Sequence, residues 1–284
     1  MHIRVPATSA NLGPGFDALG LALTLYAEIG AGADGATVPQ GAHLVDDHHP
    51  AMIAFRHRSG TGALWVRSPI PMGRGLGYSA AMRIGGLMAA HVQQNGTDSK
   101  LLLEARDDLL ADATALEGHP DNAAPALLGG FVVAAGGHAI PVPLGFDPAV
   151  VCWVPSFTTA TDRSRRRLAA SVPFTDAVFN LGRAALLVAA LATGDIAALR
   201  VATQDRLHQA NRFAGSPLSL AAYEAAMNAG AWACWLSGSG PTVAALCDPA
   251  EAEYLAATLA ADASVKILGI DRSGASIVDA PAEL

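Results

Sequence analysis

The chain has 284 residues, 51% of them hydrophobic and only 15% charged, with a formal net charge of −7 at pH 7. That is enough apolar material for one large domain or two closely packed ones, and the acidic balance argues against a nucleic-acid binder, which would carry a basic face. Anionic ligands stay open, because a local basic pocket can sit on an acidic protein.

Ile3 and Val5 alternate with His2 and Arg4, which predicts an opening strand with two distinct faces. Gly13, Pro14 and Gly15 form a turn before a second strand over 19–29. Residues 30–50, rich in Gly, Asp, His and Pro, read as a surface loop or ragged hairpin, and 63–67 as a short strand. Helices are predicted over 79–94 and 101–116, then a strand over 127–135 entered through Gly129 and Gly130. The stretch 138–148 is the best boundary between two halves. Beyond it come a strand near 150–154, helices over 176–192, 195–202 and 218–229, and a strand–turn–strand unit over 231–247. A helix over 249–261 and a strand over 265–270 close the chain. Strands and helices mixed without regular βαβ alternation predict an α+β fold.

Lys100 and Lys266 are the only lysines, so arginine supplies nearly all the positive charge. Cys152, Cys234 and Cys247 are odd in number and lack CxxC spacing, which predicts reduced, buried thiols in a cytoplasmic protein. No signal-peptide pattern opens the chain, and apolar runs such as 184–192 are too short to span a bilayer, so a soluble protein without a membrane partner is expected.

Three stretches carry chemistry. Residues 71–81, Pro-Met-Gly-Arg-Gly-Leu-Gly-Tyr-Ser-Ala-Ala, place glycines at alternate positions just before a helix. Such a loop wraps a polyphosphate with its N–H groups and the positive end of the helix, or is simply a tight turn. It is not a Walker A loop, since no lysine is near it. Residues 117–122, Glu-Gly-His-Pro-Asp-Asn, close a helix; they offer a carboxylate to a divalent cation, or only a polar terminus capped by Gly118 and stopped by Pro120. Residues 237–241, Ser-Gly-Ser-Gly-Pro, form a hairpin turn small enough for close ligand approach. His43, His48, His49 and His57 fit no standard metal spacing and read as a solvated loop.

Together these stretches resemble the GHMP kinase superfamily. Residues 6–20, Pro-Ala-Thr-Ser-Ala-Asn-Leu-Gly-Pro-Gly-Phe-Asp-Ala-Leu-Gly, resemble its first motif in the homoserine kinase form. Residues 71–81 look like the second motif, the phosphate loop, and 236–243 like the third. The 117–122 segment, followed by Ala-Ala-Pro-Ala-Leu-Leu-Gly-Gly, is similar to the homoserine kinase branch, as is the stretch 173–185. The likeness covers nearly the whole chain in order. It implies a GHMP kinase fold, with an N-terminal, ATP-binding, ribosomal-protein-S5-domain-2-like half over 1–142 and a C-terminal ferredoxin-like half over 143–284. It also implies ATP- and Mg²⁺-dependent phosphorylation of the L-homoserine hydroxyl in threonine biosynthesis, and suggests a homodimer.

Roles follow position by position from that resemblance. Pro71, Gly73, Arg74, Gly75, Leu76, Gly77, Tyr78, Ser79, Ala80 and Ala81 make the ATP-binding loop, and Ser79 with Glu117 holds Mg²⁺. Asn11 lies near the acceptor hydroxyl and Asp17 on the amino group, while His119, Asp121, Asn122 and Gly238 complete the substrate pocket. Arg165, within the arginine run 163–167, and Arg212 hold the carboxylate, to which a guanidinium pairs bidentately. Asn11, Glu117, Asp121 and Asn122 stand closest to catalysis; the branch offers no clear general base, and Asp121 is the nearest carboxylate.

The chain departs from the family pattern at three places. Tyr78 replaces the first serine of the usual GLGSSAA, Arg83 stands where an apolar residue is usual, and the usual helix is poorly recognisable in 46–62, a segment that helps build the adenine side in the family. Two other readings stay open: a kinase for another small hydroxy acid (threonine, shikimate or pantoate), and a kinase-derived protein that holds ligand without turnover.

Overall fold

Two antiparallel sheets and their covering helices hold the functional loops in place. The computed structural model describes residues 2–32, 38–159, 164–166, 168–260 and 263–278. The first sheet contains β1 (His2–Ala10), β2 (Leu19–Gly32), β3 (His43–Leu44), β4 (Ala63–Arg67), β5 (Phe131–Ala135) and β6 (His138–Val142). β2 is its hub, pairing with β1 along its length, with β4 near its end and with β5 near its start. Ile3, Val5 and Ala7 point into the core, as the alternation predicts. The opposite face of β1 is covered too: His2 is 2% exposed against Trp65, and Arg4 lies over the Tyr26 ring.

Five helices accompany this sheet: α1 (Pro50–His57), α2 (Tyr78–Asn95), α3 (Ser99–Glu104), α4 (Arg106–Glu117) and α5 (Ala123–Leu128). α1 lies in the segment 46–62, in which the sequence shows the usual helix only poorly. It is one short element, started by Pro50 at its first position and by His49, whose Nδ1 accepts from the Ala51 amide. Its Ala51, Met52, Ala54 and Phe55 pack inward beside α2. α2 runs between two glycines, Gly77 and Gly96, and buries Met82, Ile84, Leu87, Met88 and Val92. Burying those five side chains stabilises the helix on the sheet by on the order of 10 kcal/mol relative to exposure.

The helix predicted over 101–116 divides at Ala105 into α3 and α4. The strand predicted from 127 begins only at Phe131, because 123–128 form α5, with Pro125 tolerated in its first turn. β6 occupies the start of the 138–148 stretch and pairs with β5 as a hairpin.

The second sheet has the order β10-β7-β9-β8, formed by β7 (Ala149–Pro155), β8 (Ala233–Leu236), β9 (Val243–Cys247) and β10 (Ala263–Leu268). Around it lie α6 (Phe174–Thr193), α7 (Ile196–Ala202), α8 (Gln209–Phe213), α9 (Pro217–Asn228) and α10 (Ala252–Leu259), the last preceded by a 3₁₀ turn, Pro249–Glu251. The predicted elements reappear here within a few residues, save that α8, only five residues long, was not anticipated. Nor was β11 (Ser276–Val278), which returns to pair with β1 in the first sheet.

α6 corrects the expectation drawn from apolar runs. Read as a whole helix, Phe174–Thr193 is long and apolar enough to cross a membrane by length and composition. Its Asn180, Leu187, Ala190 and Leu191 are nevertheless buried in the protein. The three cysteines are free and buried, and burial pushes the Cys152 thiol up to about 12.

Candidate active site

The glycine loop between β4 and α2 is shaped by contacts that only glycine permits. Gly75 and Gly77 have φ of 83° and 68°, in the left-handed region. A Cβ on Gly75 would strike the Ser237 carbonyl oxygen, and one on Gly77 the Thr8 hydroxyl. The loop is thus wedged between β1 and the 237–241 turn. Ser237 Oγ donates to the Gly75 carbonyl at 2.6 Å and the Thr8 amide to the Leu76 carbonyl at 3.2 Å. Leu76 and Ala81 lie wholly in the core, so their side chains face away from any ligand. The Arg74 guanidinium is also turned away, donating to the Pro155 and Ser156 carbonyls at 2.8 and 2.7 Å. Pro71 lies beside it, outside the cavity that the loop glycines line.

That cavity, about 390 Å³, runs from the glycine loop to the turn after β1 and the 237–241 turn. It is lined by Gly73, Gly75, Gly77, Tyr78, Ser79 and Ala80 at one end, and by Asn11, Asp17, His119, Asp121, Asn122, Arg165, Arg212 and Gly238 at the other. The volume suits a small-molecule site. Most residues singled out from the motifs therefore meet in one place.

At the loop end, Ser79 on the first turn of α2 donates to Glu117 Oε1 at 2.5 Å. Glu117 is the last residue of α4, which Gly118 stops with φ of 84°. Arg83 Nε approaches the same Oε1 at 2.8 Å, an ion pair without an aligned hydrogen bond. Tyr78 points to α1 instead: its hydroxyl is 3.0 Å from His49 Nε2, and the rings meet edge-on. Burial pushes the Tyr78 phenol up and the His49 imidazole down, so both are neutral near pH 7.

The other end is an interlocked set of side chains. Asn11, in the left-handed region at φ 72°, accepts from the Asp17 amide at 3.0 Å and donates to the Gly238 carbonyl at 2.9 Å. Arg165 grips Asp17 with both terminal nitrogens, at 2.9 and 2.5 Å. Arg212 Nη1 donates to the Gly238 carbonyl at 2.8 Å and to His208 Nδ1 at 3.2 Å. His208 Nε2 in turn donates to the Gly13 carbonyl at 2.7 Å, which fixes the neutral tautomer, since an arginine can only donate and a carbonyl only accept. His119 Nδ1 and Asp121 Oδ1 are 2.6 Å apart, and Thr8 Oγ1 donates to Asn122 Oδ1 at 2.8 Å.

The electrostatics follow from burial and crowding. Desolvation, with Arg165 nearby, lowers Arg212 to about 10, so it stays charged at neutral pH. The hydrogen bond to Asp121 holds the His119 imidazolium above its usual range against the opposing effect of burial. Asp17, His119 and Asp121 bring ligand atoms within 4.8 Å of one another. Among the described residues this is the one His/Cys/Asp/Glu group gathered closely enough to hold a metal, and the histidines 43, 48, 49 and 57 do not form another.

His49, Pro50, Met72, Thr159 and Ser239 also line the cavity and were not singled out from the sequence as site residues. The His-Pro pair at 49–50 was the one available signal, as a helix start whose cap also faces the loop.

Residues 45–130 match the family of GHMP kinases N terminal domains, and 187–264 match GHMP kinases C terminal. A homoserine kinase from Gloeobacter violaceus is 41% identical, with 98% of each chain aligned. One from Thermus thermophilus is 40% identical over 86% of each. The crystal structure of homoserine kinase from Cytophaga hutchinsonii superposes with a TM-score of 0.82 over 98% of this chain and 97% of that one; at 24% identity it speaks for the fold. With this fold, this cavity and these relatives, the chain belongs to the homoserine kinase family of the GHMP kinases, phosphotransferases that act on a hydroxyl group.

Proposed function

We propose that the chain transfers the γ-phosphoryl group of ATP to the hydroxyl of L-homoserine, with the nucleotide at the glycine-loop end and the amino acid at the Asp17–Arg165–Arg212 end. The observation that carries this is the single cavity joining the two ends. In the free chain Asp17 and Arg165 satisfy each other. A zwitterion brings an ammonium for Asp17 and a carboxylate for Arg165 and Arg212, so it enters by exchanging partners rather than by leaving half-buried charges unpaired. A sugar lacks both of those groups, and a plain carboxylic acid lacks the ammonium.

Ser79 Oγ and Glu117 Oε1 are a pair of hard oxygen donors beside the phosphate loop, and that donor set fits Mg²⁺ shared with phosphate oxygens. When bound, Mg²⁺ would neutralise charge on the β- and γ-phosphates. The chain's own share is positioning. Loop amides and the α2 N-terminus face the phosphates, and Asn11, held by Gly238, faces the hydroxyl. The bond from Pγ to the β–γ bridging oxygen breaks with its electrons left on ADP; the homoserine oxygen bonds to Pγ, and the hydroxyl proton is released. Asp121 is 2% exposed with Oδ1 engaged by His119 and Asn122, and in this reading it positions those two residues.

Threonine biosynthesis in the cytoplasm is the setting this activity supplies. A homodimer, suggested by the family, is checked by sedimentation. ATP turnover against homoserine, threonine, mevalonate, shikimate and pantoate tests the reading: homoserine should exceed the others by orders of magnitude in kcat/KM, and nucleotide binding without turnover of any would sink it.

A further inference from the structure

Arg83 is out of keeping with its surroundings. It lies one turn beyond Ser79 on the same face of α2, turned to the cavity, while its neighbours Met82 and Ile84 are buried in the core. Its side chain is only 20% exposed and that of Glu117 only 10%. The guanidinium leans on Glu117 Oε1, the same oxygen that accepts from Ser79. Among the described residues no acceptor is hydrogen-bonded to either terminal nitrogen, and Arg83 lines the cavity beside the glycine loop. The carboxylate that fits a divalent cation is therefore already neutralised by a cation built into the chain.

We propose that Arg83 is a catalytic, phosphate-contacting residue of this chain. It rests on Glu117 in the free protein and gives its terminal N–H groups to the nucleotide's β- and γ-phosphates, with the nucleotide placed as proposed above. A guanidinium suits this task because it is always charged and its fork matches phosphate oxygens. Two consequences follow. The chain binds the polyphosphate in part without metal, since one cation of the site is covalent. Mg²⁺ must also compete with Arg83 for Glu117, so more of it is needed to fill its site than would be if residue 83 were apolar.

Arg83→Met in the full chain tests this. Calorimetry of ADP in EDTA should show affinity falling about tenfold or more, the size of a lost charge-assisted contact. The Mg²⁺ concentration for half-maximal activity should fall as Glu117 is freed. With saturating Mg²⁺, kcat should drop while KM for homoserine stays put, and Arg83→Lys should recover part of the metal-free affinity. If Arg83→Met folds poorly by thermal melting, Arg83→Gln provides the same readings. Metal-free ADP affinity within twofold of the parent chain overturns the role of Arg83 while leaving the kinase reading intact, provided the parent turns over homoserine. A parent chain that neither binds ADP nor turns over homoserine overturns both.

Discussion

The two ends of the cavity are built by different means. The glycine-loop end is mostly backbone: glycines in left-handed conformations wedged against β1 and the 237–241 turn, with Ser79, Glu117, Arg83 and the Tyr78–His49 pair as polar side chains. The acceptor end is mostly side chains that occupy one another, Asp17 with Arg165, Arg212 with Gly238 and His208, and His119 with Asp121. A backbone-built site tolerates changed side chains as long as its glycines remain, and this is the end where Tyr78 and Arg83 depart from the family pattern. A site of interlocked charges has no such slack, and there Asn11, Asp17, His119, Asp121, Asn122, Arg165, Arg212 and Gly238 gather at one end of the cavity.

This contrast can be broken experimentally. The largest effect should come from Arg212→Ala, which removes one buried cation of the acceptor end: kcat/KM for homoserine should fall roughly 100-fold or more with ADP affinity unchanged. Loss of ADP affinity as well would show that the ends are not separable. Next, Gly75→Ala should destabilise the fold by about 3 kcal/mol in urea unfolding and abolish nucleotide binding, because the backbone is strained and the new methyl meets the Ser237 carbonyl.

A smaller, pH-dependent effect belongs to His208. Burial lowers its pKa, and its neutral form is the one that accepts from Arg212. The folded state thus resists protonation that the unfolded chain accepts. Stability from this group is full above about 6.5 and is lost as pH falls through the lowered folded value. KM for homoserine should rise over the same window, and His208→Gln should flatten both profiles while ADP binding stays level. The smallest effect is expected at Tyr78. Tyr78→Phe loses only the half-buried hydrogen bond to His49, about 1 kcal/mol of stability by thermal melting. Tyr78→Ser should leave kcat unchanged or raise it; a large loss would give the ring a role of its own at the loop end.

Much of the architecture was legible in the chain because its long elements announce themselves. α2 and α6 carry sustained apolar patterns, and β7, β8 and β9 are continuous apolar runs. The short elements were not: α1, α5 and α8 span eight, six and five residues, too few to show a period, and β11 is a strand only because β1 lies beside it. α6 shows the opposite failing, since judging it by its longest uninterrupted run understated an apolar helix.

By itself the sequence, through the resemblance of its motifs, brought forward Asn11, Asp17, Ser79, Glu117, Arg165 and Arg212 as the groups expected at the site. What each of them touches was decided by the tertiary structure. Arg74 and Arg83 lie nine residues apart, yet one anchors the loop to the second sheet and the other enters the cavity to meet Glu117. His49, from a segment that looked like mere loop, reaches Tyr78. Such pairings depend on where a side chain of several ångströms points once distant strands and helices are packed, and no local pattern carries that direction.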